Sequence, residues 1–293
     1  MKLYFYRGNQ NNFGDELNHW LIPKVFPGLL DEDGSRLLLA IGSIILDNHP
    51  KDALKIVFGS GYGGYTPMPV IDATWKFYGV RGKMTADACG LPHDLVVGDS
   101  AILINRHQPP ARAKRFKRSF MPHWESVEHI NWRRACALAD VHFIDPRDSV
   151  DDVLAQIQET EVLVTEAMHG AIVADALRVR WIAIQPVVPK HRAKWFDWAS
   201  ALDIELKPVA LDVLPLLQAQ FGPGKPGFIR RLSGMGWLGA RIANLVLATA
   251  TARSLRQAGR AESQLSSDAA LERAVGRLEA AAARIRADFG PRA

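Results

Sequence analysis

The stretch VLVTEAMHGAIVADALRV, starting at Val162, ends an apolar run on Thr165, Glu166 and His169, where an alanine-rich helical pattern takes over. An imidazole and a carboxylate at such a junction suit acid–base chemistry. An imidazole near its unperturbed pKa can both give and take a proton at neutral pH. Glu166, three residues before His169, is expected to orient or charge the ring. The first turn of the helix offers free backbone amides to an anion, and Gly170 lets that anion come close. Arg81, Arg147 and Lys194 are the cations expected around a multiply charged substrate if they converge. His123 is the reserve acid–base group, or a phosphate ligand.

These side chains need a scaffold that brings them together. In open parallel sheets, ligands sit beyond the carboxyl ends of the strands. KLYFY is followed by Asn12, Gly14, Asp15 and Glu16, LLLAI by Gly42 and Ser43, and KIVF by Gly59, Ser60 and Gly61. WKFYGV leads to Arg81, and DLVV leads to Gly98 and Asp99. Later runs lead to His123, to Asp145 and Arg147, to Glu166 and His169, and to Gln185. One polar strand end is ordinary turn chemistry, whereas this succession predicts a cleft.

The apolar runs are short and unbroken, as in strands covered on both faces by helices. Residues 1–108 are expected to form one Rossmann-like domain. Residues 109–120, with two prolines and a basic block, read as a linker. Residues 121–221 alternate as βαβαβ, the half-unit of a doubly wound fold, with Ser149 capping one helix. Residues 222–293 form a helical, basic and amphipathic tail after the break GPGKPG. Within it Leu271, Val275, Leu278, Ile285 and Phe289 follow helical spacing along one apolar stripe. Phe228, Arg230, Arg231, Trp237, Leu238 and Arg241 offer either ordinary packing or a contact with a membrane surface.

Composition narrows the class. Of 293 residues, 48% are hydrophobic and 23% charged, which is globular rather than disordered. A net charge of +5 suits an anionic substrate or surface without choosing between them. Two cysteines without metal or CxxC spacing fit a reduced cytoplasmic protein. No secretory leader is visible, and no run approaches the ~20 apolar residues of a spanning helix. GSGYGG lacks the GK[ST] of a phosphate loop and the order of a dinucleotide fingerprint. HDLVVGD gives no metal triad, so no metal is expected, and no nucleic-acid module is recognisable.

NNFGDELN, AIGSII, VFGSG, YGVRGKMT, VVGDSAIL, MPHWES, FIDP, VTEAMHGAIVADALRV and KWFDW, in this order and spacing, resemble the polysaccharide pyruvyl transferase family over about residues 1–205. Within it, the sequence is most similar to the ketal pyruvyltransferases of bacterial exopolysaccharide synthesis, of the succinoglycan type. The resemblance implies an α/β fold of two Rossmann-like parallel-sheet domains facing a cleft, glycosyltransferase-B-like. It implies phosphoenolpyruvate as donor, with no cofactor. The acceptor would be a sugar on a polyprenyl-diphosphate-linked repeat unit, and the product a cyclic pyruvate ketal with release of phosphate. Many members carry an arginine two residues before the histidine–glycine pair, where this chain has Ala167, so Arg81 or Arg147 would have to clamp the phosphate.

Phosphoenolpyruvate carries roughly three negative charges near neutral pH. Ketal formation needs a proton for its methylene carbon, a base for the incoming hydroxyls and cations for its anionic groups. His169 is assigned the acid–base work with Glu166 behind it, and Arg81, Arg147, Lys194 and Gly170 the donor. Asn12, Asp15, Glu16, Ser43 and Ser60 are assigned to the acceptor, which enters past the N-terminal half. The basic tail would hold a cytoplasmic enzyme at the inner face of the membrane, and a homo-oligomer is left open. The alternative is a glycosyltransferase of the same architecture using a nucleotide sugar. A non-catalytic assembly factor would leave the polar strand ends without a task.

Overall fold

The computed structural model describes residues 1–218 and 236–290. Its first sheet is parallel and contains β1 (Lys2–Tyr4), β2 (Arg36–Leu39), β3 (Leu54–Ser60) and β4 (Trp75–Val80), in that spatial order. The second holds β5 (Phe116–Met121), β6 (His142–Phe143), β7 (Thr160–Thr165) and β8 (Arg180–Ala183), also parallel, in the order β6-β5-β7-β8. The reversal between β5 and β7 is the switch point at which doubly wound sheets bind ligands. The first sheet runs in sequence order and has no such reversal.

Both sheets are buried on both faces, which is why their strands read as apolar runs. Side chains alternate across the pleat. Leu38, Ile56 and Phe58 face one side of the first sheet, Leu37, Leu39 and Val57 the other. Helix α1 (Phe13–Val25) buries Phe13, Leu17, Leu21 and Ile22 on the first of these sides. The same cluster continues through Met121 of β5, Leu163 of β7 and Trp181 of β8. One core cluster therefore runs through both halves, and each half has a further cluster largely its own.

Three sequence expectations change. DLVVGDSAIL is not a strand: Val96 makes only an isolated bridge to Val80, and Ser100–Asn105 is a 3-10 helix. Gly98, at φ +101, turns the chain between them. The expected linker 109–120 is extended only as far as Arg115, since β5 begins at Phe116. Two of its basic residues, Arg112 and Arg115, share Glu159 at 3.5 and 3.1 Å, and Lys114 donates to the carbonyls of Gln158 and Thr160.

The C-terminal region is not an appended tail. Helix Asp268–Phe289 buries Leu271, Val275, Leu278 and Ile285 in the shared core, as its stripe predicts. Its Arg284 and Arg286 donate to the carbonyls of Tyr78 and Val25 in the first half. Helix Gly236–Ala258 packs Leu247, Ala252 and Leu255 against the second half and leaves Ile242 and Val246 exposed. Phe228, Arg230 and Arg231 lie outside the described residues, as do the side chains of Trp237, Leu238 and Arg241. Among the described residues no helix is long and apolar enough to cross a membrane.

Candidate active site

Helix α2 (Met168–Ala176) starts just beyond β7, so His169 projects from its first turn. The ring crosses to the first half. Its Nδ1 lies against the first turn of α1, where a β-carbon on Gly14 would come within 2.0 Å of it. Its Nε2 faces Asp99 Oδ2 at 3.8 Å. The other oxygen of Asp99 caps the 3-10 helix by accepting from the Ala101 amide at 3.0 Å. Neither His169 Nε2 nor Asp99 Oδ2 has a hydrogen-bond partner among the described residues. With 13% of its side chain exposed, His169 is recessed but not sealed.

Glu166 does not serve His169. Its buried carboxylate accepts from the His123 amide at 3.0 Å, the Ser126 hydroxyl at 2.6 Å and the Val187 amide at 2.9 Å. It thereby ties together the loops after β5 and β8. Burial raises its pKa, although these three donors oppose the shift. The three-residue spacing misled because Glu166 and Ala167 precede the helix, so the helical face that would align positions 166 and 169 does not exist. Gly170 serves packing: a β-carbon there would meet Thr165 Oγ1 at 2.8 Å and Met121 Sδ at 2.9 Å.

Of the three expected cations, Arg81 and Lys194 stay together and Arg147 does not join them. Lys194, on α3 (Ala193–Ala199), makes no ion pair or hydrogen bond among the described residues, and its ammonium lies 6.0 Å from the Tyr65 ring centroid. Burial, reinforced by the charge of Arg81, lowers its pKa to about 8, yet its side chain stays partly open to solvent. Arg81 is fully buried: its Nε donates to Asp197 at 2.9 Å and one terminal nitrogen to Ser43 Oγ at 2.7 Å. Asp197 also accepts from Thr85, so Arg81 and α3 join the two halves beside Lys194. Arg147 is elsewhere. It pairs with Asp145 at 2.8 and 2.9 Å on the wall of a separate cavity of about 450 Å³, with Arg133 and Leu247.

His123, after β5, stacks on His191 with centroids 4.1 Å apart. Burial, then the charge of Lys194, lowers the His123 pKa well below its ordinary value, so it is a neutral ring. His191 Nε2 lies 3.0 Å from Glu125 Oε2, and its Nδ1 2.8 Å from the Tyr65 hydroxyl. Burial raises the Glu125 pKa, but the hydrogen bond and charge of His191 and those of Lys190 outweigh it and hold the carboxyl at about 2. His123, Glu125 and His191 bring potential metal-ligand atoms within 4.8 Å of one another. The charges of Lys190 and Lys194 beside this cluster oppose a cation there.

Of the expected acceptor residues, Asn12, Asp15 and Glu16 line an open cavity of about 280 Å³ with Tyr6 and His19. Asp15 accepts from Asn12 at 2.7 Å. Burial raises its pKa, and His169 and Lys194 both oppose that shift, so the cavity adjoins the imidazole. Ser43 is bound to Arg81. Ser60 is fully buried and donates to the Ala40 carbonyl at 2.7 Å, which removes it from any acceptor role.

Sequence reasoning missed His191, Glu125 and Tyr65, and noted Asp99 only as a strand end. The only signal for His191 was its place in PKH, separated from KWFDW by Arg192 and Ala193.

Cationic and imidazole groups drawn from both halves thus meet where the halves join. The sequence profile of the family described as "Polysaccharide pyruvyl transferase" matches residues 31–186, more than half of the chain. The "Succinoglycan biosynthesis protein ExoV" of Rhizobium meliloti (strain 1021) is 37% identical over 213 residues, covering 71% of this chain and 67% of that protein. The chain belongs to the polysaccharide pyruvyl transferase family and is a transferase. No solved structure matches it significantly.

Proposed function

We propose that this chain moves the enolpyruvyl group of phosphoenolpyruvate onto a sugar of a lipid-linked exopolysaccharide repeat unit, closing a cyclic pyruvate ketal and releasing phosphate. The observation that carries this reading is Lys194, an ammonium with no ion pair among the described residues, whose charge acts with that of His169 on both Asp15 and His123. A largely desolvated charge without a direct partner is costly, and a carboxylate or phosphate arriving there offsets the cost. Arg81 adds field without freedom to move.

In this reading, His169 protonates the methylene carbon while Asp99 stabilises the imidazolium that forms when a proton is taken back. The acceptor approaches through the cavity lined by Asn12, Asp15 and Glu16. Its lipid linkage would place the enzyme at the cytoplasmic face of the membrane.

The test is phosphate release from phosphoenolpyruvate with a defined lipid-linked oligosaccharide, beside thermal shifts with phosphoenolpyruvate and with UDP. The expected result is acceptor-dependent phosphate release and stabilisation by phosphoenolpyruvate alone. Stabilisation by UDP without phosphate release would replace this reading with a nucleotide-sugar transferase.

A further inference from the structure

The proposed transfer, on which this inference rests, moves two protons. Two acceptor hydroxyls lose them as their oxygens bond to C2 of the donor. One proton ends on the methylene carbon, which becomes a methyl group. The other must reach the phosphate as the C2–O bond breaks and its electron pair leaves with the phosphate. His169 supplies one such path. A second group able to take a proton and pass it on has not been assigned.

The chain Glu125–His191–Tyr65 has the required form. The Glu125 carboxylate, held at about 2, can only accept a hydrogen bond, so the His191 Nε2 that faces it at 3.0 Å carries the proton. His191 Nδ1 is then an acceptor, and the Tyr65 hydroxyl 2.8 Å away donates to it. A carboxylate behind an imidazole behind a hydroxyl is the arrangement that lets the hydroxyl oxygen take a proton while handing its own to the ring. Burial keeps the Tyr65 phenol neutral by raising its pKa to about 12, and the residue as a whole stays 40% exposed. Its ring centroid lies 6.0 Å from the Lys194 ammonium, where the donor is expected.

We propose that Tyr65 is a second catalytic acid–base residue, with His191 and Glu125 acting through it as positioning residues. The proton of one acceptor hydroxyl passes to Tyr65 Oη as the phenolic proton passes to His191 Nδ1. The imidazolium, held by Glu125, returns its proton through Tyr65 to the departing phosphate oxygen. Tyr65 is neutral before and after, and no other reactant is needed. The titratable and charged groups facing His191 are Glu125, Tyr65, His123, Lys190 and Lys194.

The experiment compares full-length wild type, Tyr65→Phe and Glu125→Gln in acceptor-dependent phosphate release across pH. Wild-type turnover of phosphoenolpyruvate establishes the underlying reading, and its absence defeats that reading and this one together. With wild type active, Tyr65→Phe is expected to lower kcat by about 100-fold or more while leaving KM for phosphoenolpyruvate near its wild-type value. Glu125→Gln is expected to lower kcat and move the acidic limb of kcat/KM to lower pH, because the imidazolium loses its counter-charge. A Tyr65→Phe enzyme with wild-type kcat, or one altered only in KM, overturns the inference and leaves Tyr65 as a latch between the halves. Should Tyr65→Phe lose its fold, the pH profile of Glu125→Gln decides: an unmoved limb overturns it.

Discussion

His169 Nε2 and Asp99 Oδ2 stand 3.8 Å apart, each a buried atom without a hydrogen-bond partner among the described residues. A shift of about an ångström would join them, and a proton on the ring supplies the reason to shift. One comes from the first turn of α2, the other from the cap of a 3-10 helix in the opposite half, so the pair exists only when the halves are docked.

His169→Ala is expected to lower kcat for acceptor-dependent phosphate release by about 100-fold or more, and Asp99→Asn to lower it in the same direction by at least about tenfold. Steady-state kinetics on folded variants check this. A His169→Ala enzyme with near-normal turnover would remove the assignment.

Lys194 is charged below about pH 8 and neutral above it. An anionic donor favours the charged form, so donor affinity should fall as pH rises through about 8, and binding near pH 9 should take up a proton. Titration calorimetry in buffers of different ionisation enthalpy measures that uptake. Lys194→Met should raise the donor Kd by about tenfold and flatten the pH dependence. Stability runs the other way. The unfolded lysine, near 10.5, binds its proton more tightly than the folded one, so this group's contribution to stability rises with pH between about 8 and 10.5.

Gly14→Ala puts a methyl group 2.0 Å from His169 Nδ1. One of them must yield, at about 1–3 kcal/mol of stability if the backbone does. The expected outcome is a lowered melting temperature together with lost turnover. Wild-type activity in Gly14→Ala would show that the ring does not work where it rests against α1.

Arg81 and Asp197 form a buried ion pair at 2.9 Å between the halves. Removing one partner leaves an uncompensated interior charge, so Asp197→Asn should destabilise the fold by about 3–5 kcal/mol. Denaturant unfolding measures it. A loss below about 1 kcal/mol, the range of exposed pairs, would mean that the guanidinium finds water or another acceptor.

What the sequence made legible was local. Strand KIVFGS and the stripe Leu271, Val275, Leu278 and Ile285 each carry a period that physics reads directly, and the structure has both. Asn12, Asp15, His169 and Lys194 were legible as strand-end or loop residues with useful chemistry, and they do gather. The partners were not legible. Nothing near Asp99 announces His169, and Glu166 drew attention only because it was close in sequence. Ser60 and Arg81 looked free because a sequence cannot show that Ala40 and Asp197 already occupy them. Val96 and Val97 read as a strand, but Gly98 and the cap at Asp99 end the extended run after a single bridge.

The last long helix, Asp268–Phe289, fills the groove above β3 and β4 although it is made long after them. A nascent chain must therefore hold its opening sheet with an apolar face uncovered while the remaining strands are synthesised. Folding in vectorial order, one unit sealed before the next emerges, is closed to this topology. An N-terminal fragment cut after residue 108 should aggregate or bind chaperones rather than persist as a soluble module, and supplying the missing helix as a peptide should rescue it.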